Sequence, residues 1–147
     1  LFYIQKLKQR DMIPINELKV GDYVIAEFEG AKWEGEVTRL NTDEKQICVR
    51  TEVQEFWYDP EQLHPIPLND ESLLRLNFTK EELPDGSVKY KKGSFRILIF
   101  DKNDFAAYKE VWYREDRRDN PDIRYIHQLQ NQYLQMTKVH LTDQVMA

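Results

Sequence analysis

The sequence predicts an α+β protein in which a curled meander of short strands is followed by a short helix, a small antiparallel sheet and a packed C-terminal helix. Three observations predict it. Residues 20–58 alternate apolar and polar side chains between turn signals spaced about ten residues apart, the period of half-buried strands. Residues 69–78 switch to helical spacing, with Leu73, Leu74, Leu76 and Phe78 behind a capping Asn69 or Asp70. Residues 123–136 return Ile123, Ile126, Leu129, Tyr133 and Met136 at intervals of three to four, one apolar stripe on a helix.

In chain order, "KVGDYVIAEF" enters through Gly21-Asp22 and alternates Val20, Asp22, Val24, Ala26 and Phe28 against Gly21, Tyr23, Ile25 and Glu27. "KWEGEVTRLN" returns after a Glu29-Gly30 turn, "KQICVRTEV" follows Asn41 to Glu44, and "EFWYD" completes the meander. Pro60 opens a single turn in "DPEQLHPIP", ahead of a last short strand near His64 to Pro67. Four strands, a single turn and a fifth strand are the plan of an SH3-like β-barrel over residues 13–68. The second module, residues 69–141, holds the short helix and then a three-stranded antiparallel sheet built from "GSVKYKKG", "SFRILIFDK" and "DFAAYKEVWYRE". A closing helix starts at Pro121-Asp122, and Val139 to Leu141 supplies a final strand. Residues 1–12 form an N-terminal extension, with Met12 as a candidate natural start.

The chain's 147 residues, 41% hydrophobic and 12% aromatic, are enough to bury a core. Net charge is −5, which argues against a surface that neutralises phosphates over its whole area. The one cysteine, Cys48, excludes an internal disulfide and reads as a small core hydrophobe within Ile47-Cys48-Val49. No run approaches the roughly 20 apolar residues of a membrane span, and the opening residues lack the pattern of a secretory signal, so the expectation is a cytoplasmic protein without membrane contact.

The order of "INELKVGDYV", a following Gly-x-Val strand, "HPIPLNDESLLRLNF" and "YIHQLQNQYLQMT" resembles a family of small uncharacterised proteins encoded by gut Bacteroidetes, their phages and mobile elements. The resemblance spans most of residues 15–141 and implies a two-part α+β architecture with a link to phage or mobile-element biology. It implies no catalytic activity. The chain departs from the family's closing helix at Gln135-Met136 and lacks its terminal glycine, a difference that falls on the helix C-cap.

The barrel is also similar to Tudor and other SH3-like modules, in which aromatic residues at strand ends hold a cation or a peptide. The aromatic candidates are Tyr23, Trp33, Phe56, Trp57 and Tyr58, with Asp22, Glu34, Glu36 and Asp59 as acidic neighbours. Adjacent side chains on a strand point to opposite faces, so Phe56 and Tyr58 share one side of the sheet and Trp57 the other. Two bulky residues against one predict Phe56 and Tyr58 inside and Trp57 outside. Tyr23, Trp33 and Trp57 are then expected to form a partly exposed patch that binds a protein or peptide partner.

His64, His127 and His140 stand far apart with no ligand-spaced Cys or His, so neither a metal site nor a cofactor is expected. His127 reads as a hydrogen-bonded boundary residue, and with no nucleophile beside it the chain is expected to be non-enzymatic. The alternative partner is nucleic acid, met by Lys89, Lys91, Lys92, Arg96, Arg114, Arg117, Arg118 and Arg124 in the second half. Interleaved Glu110, Glu115, Asp116, Asp119 and Asp122 weigh against it by cancelling the local field.

Overall fold

A computed structural model describes residues 12–143; the extension over residues 1–11 lies outside the described residues. Among the described residues the protein is a mixed α+β chain of two antiparallel five-stranded sheets and two helices; the chain divides into two compact units, Leu1–Ile66 and Pro67–Ala147.

The first unit is a sheet of order β4-β3-β2-β1-β5, with β1 Tyr23–Phe28, β2 Ala31–Asn41, β3 Gln46–Thr51, β4 Glu55–Tyr58 and β5 Leu63–His64. A 3₁₀ turn at Pro60–Gln62 leads into β5, closed by a capping box between Asp59 and Gln62. The sheet is open, because β4 and β5 are its two edges and do not pair with each other. β5 occupies Leu63–His64 rather than His64 to Pro67, since prolines at 65 and 67 cannot donate to a ladder. Gly21 turns the chain into β1 at a φ of 100°, and the carboxylate of buried Asp22 accepts the Lys19 amide at 2.9 Å. Gly35 in β2 is required by space. A Cβ there would meet Val49 Cγ1 at 2.6 Å and the Arg50 carbonyl at 2.8 Å.

Cross-strand register assigns the faces, because directly opposed residues of an antiparallel pair point to one side. Val24, Ala26 and Phe28 of β1 share the inner face with Trp33, Gly35 and Val37 of β2, Ile47 and Val49 of β3, and Phe56 and Tyr58 of β4. The core of the unit lies on this face, where Val24, Val37, Ile47, Val49 and Tyr58 pack with Ile13, Leu18 and Leu63. Cys48 faces the other way and is buried all the same, opposed to Arg39 on one side and Trp57 on the other.

The second unit has the order β10-β9-β8-β7-β6, with β6 Thr79–Glu82, β7 Val88–Lys92, β8 Phe95–Ile99, β9 Lys109–Tyr113 and β10 Asp116–Asp119. It therefore has five strands where the sequence predicts three. The first helix, α1, is Asp70–Arg75, and Asn69 caps it reciprocally with Ser72 at 2.9 Å in both directions. The second, α2, is Ile126–Thr137 and begins after Tyr125, not at Pro121. Residues 121–125 are non-helical, and Tyr125 forms a bridge with Pro67 while Arg124 accepts the Leu68 amide at 3.0 Å. Lys138 takes the left-handed cap position at a φ of 65°, so a non-glycine residue ends this helix.

The apolar stripe of α2 lies on the sheet as its periodicity requires: Ile126, Leu129 and Tyr133 are buried, and Tyr133 meets Phe95 edge-on at 4.7 Å. Residues 139–141 are not a strand. Leu141 is instead buried, and its carbonyl accepts a bond from buried Gln130 at 3.0 Å. Across this unit Tyr90 donates to Asp70 at 2.6 Å and Lys80 pairs with the same carboxylate at 3.0 Å, tying α1 to β6 and β7. The Tyr90 hydroxyl and then Lys80 hold the Asp70 carboxyl below the ordinary Asp range.

Candidate functional site

β1, β2 and β4 carry aromatic side chains past the end of the first unit's core. Phe28 closes β1, Trp33 lies near the start of β2 and Phe56 sits in β4, all on the inner face. Each is about two-fifths exposed: 43% for Phe28, 42% for Trp33 and 43% for Phe56. Phe28 and Phe56 meet edge to face at 6.2 Å, and Phe56 leans on buried Tyr58 at 6.4 Å. Trp33 is the diagonal cross-strand neighbour of Phe28, because Phe28 opposes Ala31. The core below is filled by Val24, Val37, Ile47 and Val49, so the row emerges from a packed base.

The expected patch of Tyr23, Trp33 and Trp57 is divided by this register. Trp57 is outward and 42% exposed, and half-buried Tyr23 shares its outer face. Trp33 is on the inner face. Phe56, expected inside with Tyr58, faces inward but is exposed, because the inner face extends beyond the side chains that fill the core; Tyr58 alone is buried, at 2%. The Arg39 guanidinium lies over the Trp57 ring at 5.3 Å and reaches Glu55 at 3.6 Å, so the outer face of β4 carries a small charged and aromatic cluster.

Glu27, Glu34 and Glu55 are next to Phe28, Trp33 and Phe56 in sequence and therefore point to the outer face, while Glu29 sits in the turn after Phe28. Residues 1–66 contain 13 acidic and 8 basic residues, whereas residues 67–147 contain 13 of each. A pocket of about 360 Å³ adjoins the Glu29-Gly30 turn and is lined by Glu27, Glu29, Glu61 and His64 among others. His64 Nε2 and Glu27 Oε2 lie 2.6 Å apart across β5 and β1. This pair, 37 residues apart in sequence, has no signal in the sequence pattern.

The basic residues of the second half are dispersed. Lys89, Lys91, Arg96 and Arg117 share the sheet face opposite the packed side chains, where Lys91, Arg96, Trp112 and Arg117 form one cross-strand row. Arg96 and Arg117 lie against the Trp112 ring at 5.3 and 5.5 Å. The next row holds Glu81, Lys89, Leu98, Glu110 and Asp119, and Arg117 bonds both Glu110 and Asp119. Lys92 and Arg118 project to the opposite face. Lys92 donates to the Leu76 and Thr142 carbonyls at 2.9 Å, a structural role in which burial pushes its ammonium pKa down. Arg118 pairs with Asp116, Arg124 with Asp122 at 3.5 Å, and Arg114 in the β9–β10 turn stacks on Tyr113 at 5.1 Å.

His127 is buried at 1% and stacked on Tyr125, not placed at a boundary. Among the described residues, no three or more of His, Cys, Asp and Glu are placed to hold a metal ion. No helix among them is long and apolar enough to cross a membrane. No protein-family model, curated protein or solved structure matches the chain.

Proposed function

We propose that the first unit is an SH3-like recognition module of a phage or mobile-element accessory protein, binding a peptide or protein partner without catalysis. The observation that carries the binding role is the exposed inner-face row of Phe28, Trp33 and Phe56 above a packed core. Aromatic rings of this kind give large contact area at little conformational cost and are enriched among binding hot spots. The strand order β4-β3-β2-β1-β5, with a 3₁₀ turn before β5, supports the SH3-like assignment. The phage or mobile-element setting rests on the resemblance of "HPIPLNDESLLRLNF" and "IHQLQNQYLQMT" to that family.

The nucleic-acid alternative has one observation in its favour, the Lys91, Arg96, Trp112, Arg117 row, which combines cations with a stacking ring. The acidic row beside it and the equal numbers of acidic and basic residues in this half favour the peptide reading. Panning a random peptide library against the full chain tests that reading. The protein enriches a shared motif and Trp33→Ala loses it; no enrichment, or equal enrichment by Trp33→Ala, contradicts the reading.

A further inference from the structure

The two sheets present four edge strands, and three of them are blocked against pairing with another chain. β6 and β10 are fully exposed and read Thr-Lys-Glu-Glu and Asp-Arg-Arg-Asp, charged sequences that oppose edge-to-edge association. β5 is two residues long and is followed by Pro65 and Pro67. β4 differs. Its only charged residue is Glu55, and it exposes Phe56 on the inner face and Trp57 on the outer face.

The backbone of β4 is also set for pairing. The Thr51 amide donates to the Gln54 carbonyl at 2.8 Å and closes the β3–β4 hairpin. The alternation of an antiparallel ladder from that bond turns the amides and carbonyls of Glu55 and Trp57 away from β3, toward the open edge. A strand added there alternates its own side chains between the two faces, one set meeting Phe56 and Phe28, the other Trp57.

Charge selects the occupant. Residues 1–66 hold 13 acidic against 8 basic residues, and Glu52 and Glu55 adjoin the open edge in sequence, Glu55 with Arg39 3.6 Å away. A second copy of the chain brings the same negative charge to the edge and is repelled, whereas a basic segment is attracted. Resting on the peptide-recognition reading above, we infer that a lysine- or arginine-bearing extended segment of a partner protein adds to β4 as a sixth strand of this sheet.

The test uses the full chain and fluorescent eight-residue peptides that alternate lysine with valine or glutamate with valine. The lysine peptide binds at least about tenfold more tightly at low salt, and added salt weakens it. Glu55→Pro removes one outward amide without touching a β3–β4 bond, and it lowers affinity about tenfold with little change in melting midpoint. Glu55→Gln keeps the amide and stays within about threefold of the wild type. In the wild type, peptide slows hydrogen exchange at the Glu55 and Trp57 amides, a readout that stands if Glu55→Pro fails to fold. Equal binding of the two peptides, wild-type binding by folded Glu55→Pro, or unchanged exchange overturns strand addition. So does a wild-type dimer that Glu55→Pro abolishes. Library-selected peptides that need Trp33 but not the Glu55 amide also overturn it while leaving the recognition reading intact; the absence of any selected peptide removes that reading first.

Discussion

Tyr58 and Trp57 are neighbours in sequence and opposites in energy. Tyr58 is 2% exposed inside the first unit's core, so Tyr58→Ala is expected to cost about 3–5 kcal/mol. Trp57 is 42% exposed and its described contact is the Arg39 stack, so Trp57→Ala is expected to cost about 1 kcal/mol or less. Thermal melts of the two variants check the difference, and equal drops in midpoint contradict the assignment of faces. Lys109 offers a second case at this scale. It sits on the packed face of β9 beside Ile99, buried at 2%, with no carboxylate in ion-pair contact among the described residues. Burial pushes its ammonium pKa below the ordinary lysine value, ahead of smaller effects from Asp122 and Arg124. The folded state then disfavours the charged form, so stability is reduced while the amine is protonated and recovers as pH rises through the lowered pKa. Lys109→Met is expected to stabilise the fold by about 1 kcal/mol near neutral pH. It also flattens the alkaline limb of the pH–stability curve, measured by denaturant titration across pH 7 to about 10.

Among the elements, β2 shows how a close approach fixes a residue. The Cβ of Gly35→Ala would fall 2.6 Å from Val49 Cγ1, 2.8 Å from the Arg50 carbonyl and 2.9 Å from Thr51 Cγ2. Rotation of Val49 relieves the first contact, but the carbonyl is backbone. A loss of about 1–3 kcal/mol is expected, read as a lowered urea midpoint. β1 was legible in the sequence because buried Val24 and Ala26 alternate with less buried neighbours, which gives the period of two, and β2 to β4 because turn residues separate their β-rich runs. β6 and β10 were not, because Thr-Lys-Glu-Glu and Asp-Arg-Arg-Asp expose every side chain and leave no apolar period to read. The start of α2 falls later than the spacing implies for the opposite reason: buried Ile123 continues the helical spacing although residues 121–125 are non-helical, with Tyr125 bridged to Pro67. At the site, parity alone shows that Phe56 and Trp57 diverge, and it correctly turns Trp57 outward. Parity does not show where the core ends along the inner face, which is why Phe56 is exposed and why Trp33 joins Phe28 and Phe56 instead of Trp57.

Over the whole molecule, charge is distributed by unit: the acidic excess belongs to the first, and the second is balanced. This asymmetry sets the expected partner, since a basic ligand is drawn to the aromatic row while the Trp112 face has no comparable field. One contribution to acid stability lies in the second unit. The Tyr90 hydroxyl first, then Lys80, lowers the Asp70 carboxyl pKa, so its contribution is present above the ordinary Asp value of about 3.9 and is lost as pH falls through the lowered folded value. Asp70→Asn is expected to flatten the acid limb of the melting curve below about pH 4, and an unchanged acid limb contradicts that coupling. The three tryptophans mark the three candidate surfaces: Trp33 the inner row, Trp57 the outer face of β4 and Trp112 the sheet face of the second unit. Fluorine NMR of 5-fluorotryptophan-labelled protein therefore tests the central claim most directly. Titration with library-selected peptides is expected to shift the Trp33 signal and leave Trp112 in place, and a single-stranded oligonucleotide is expected to shift neither; a response confined to Trp112 with either ligand contradicts the account.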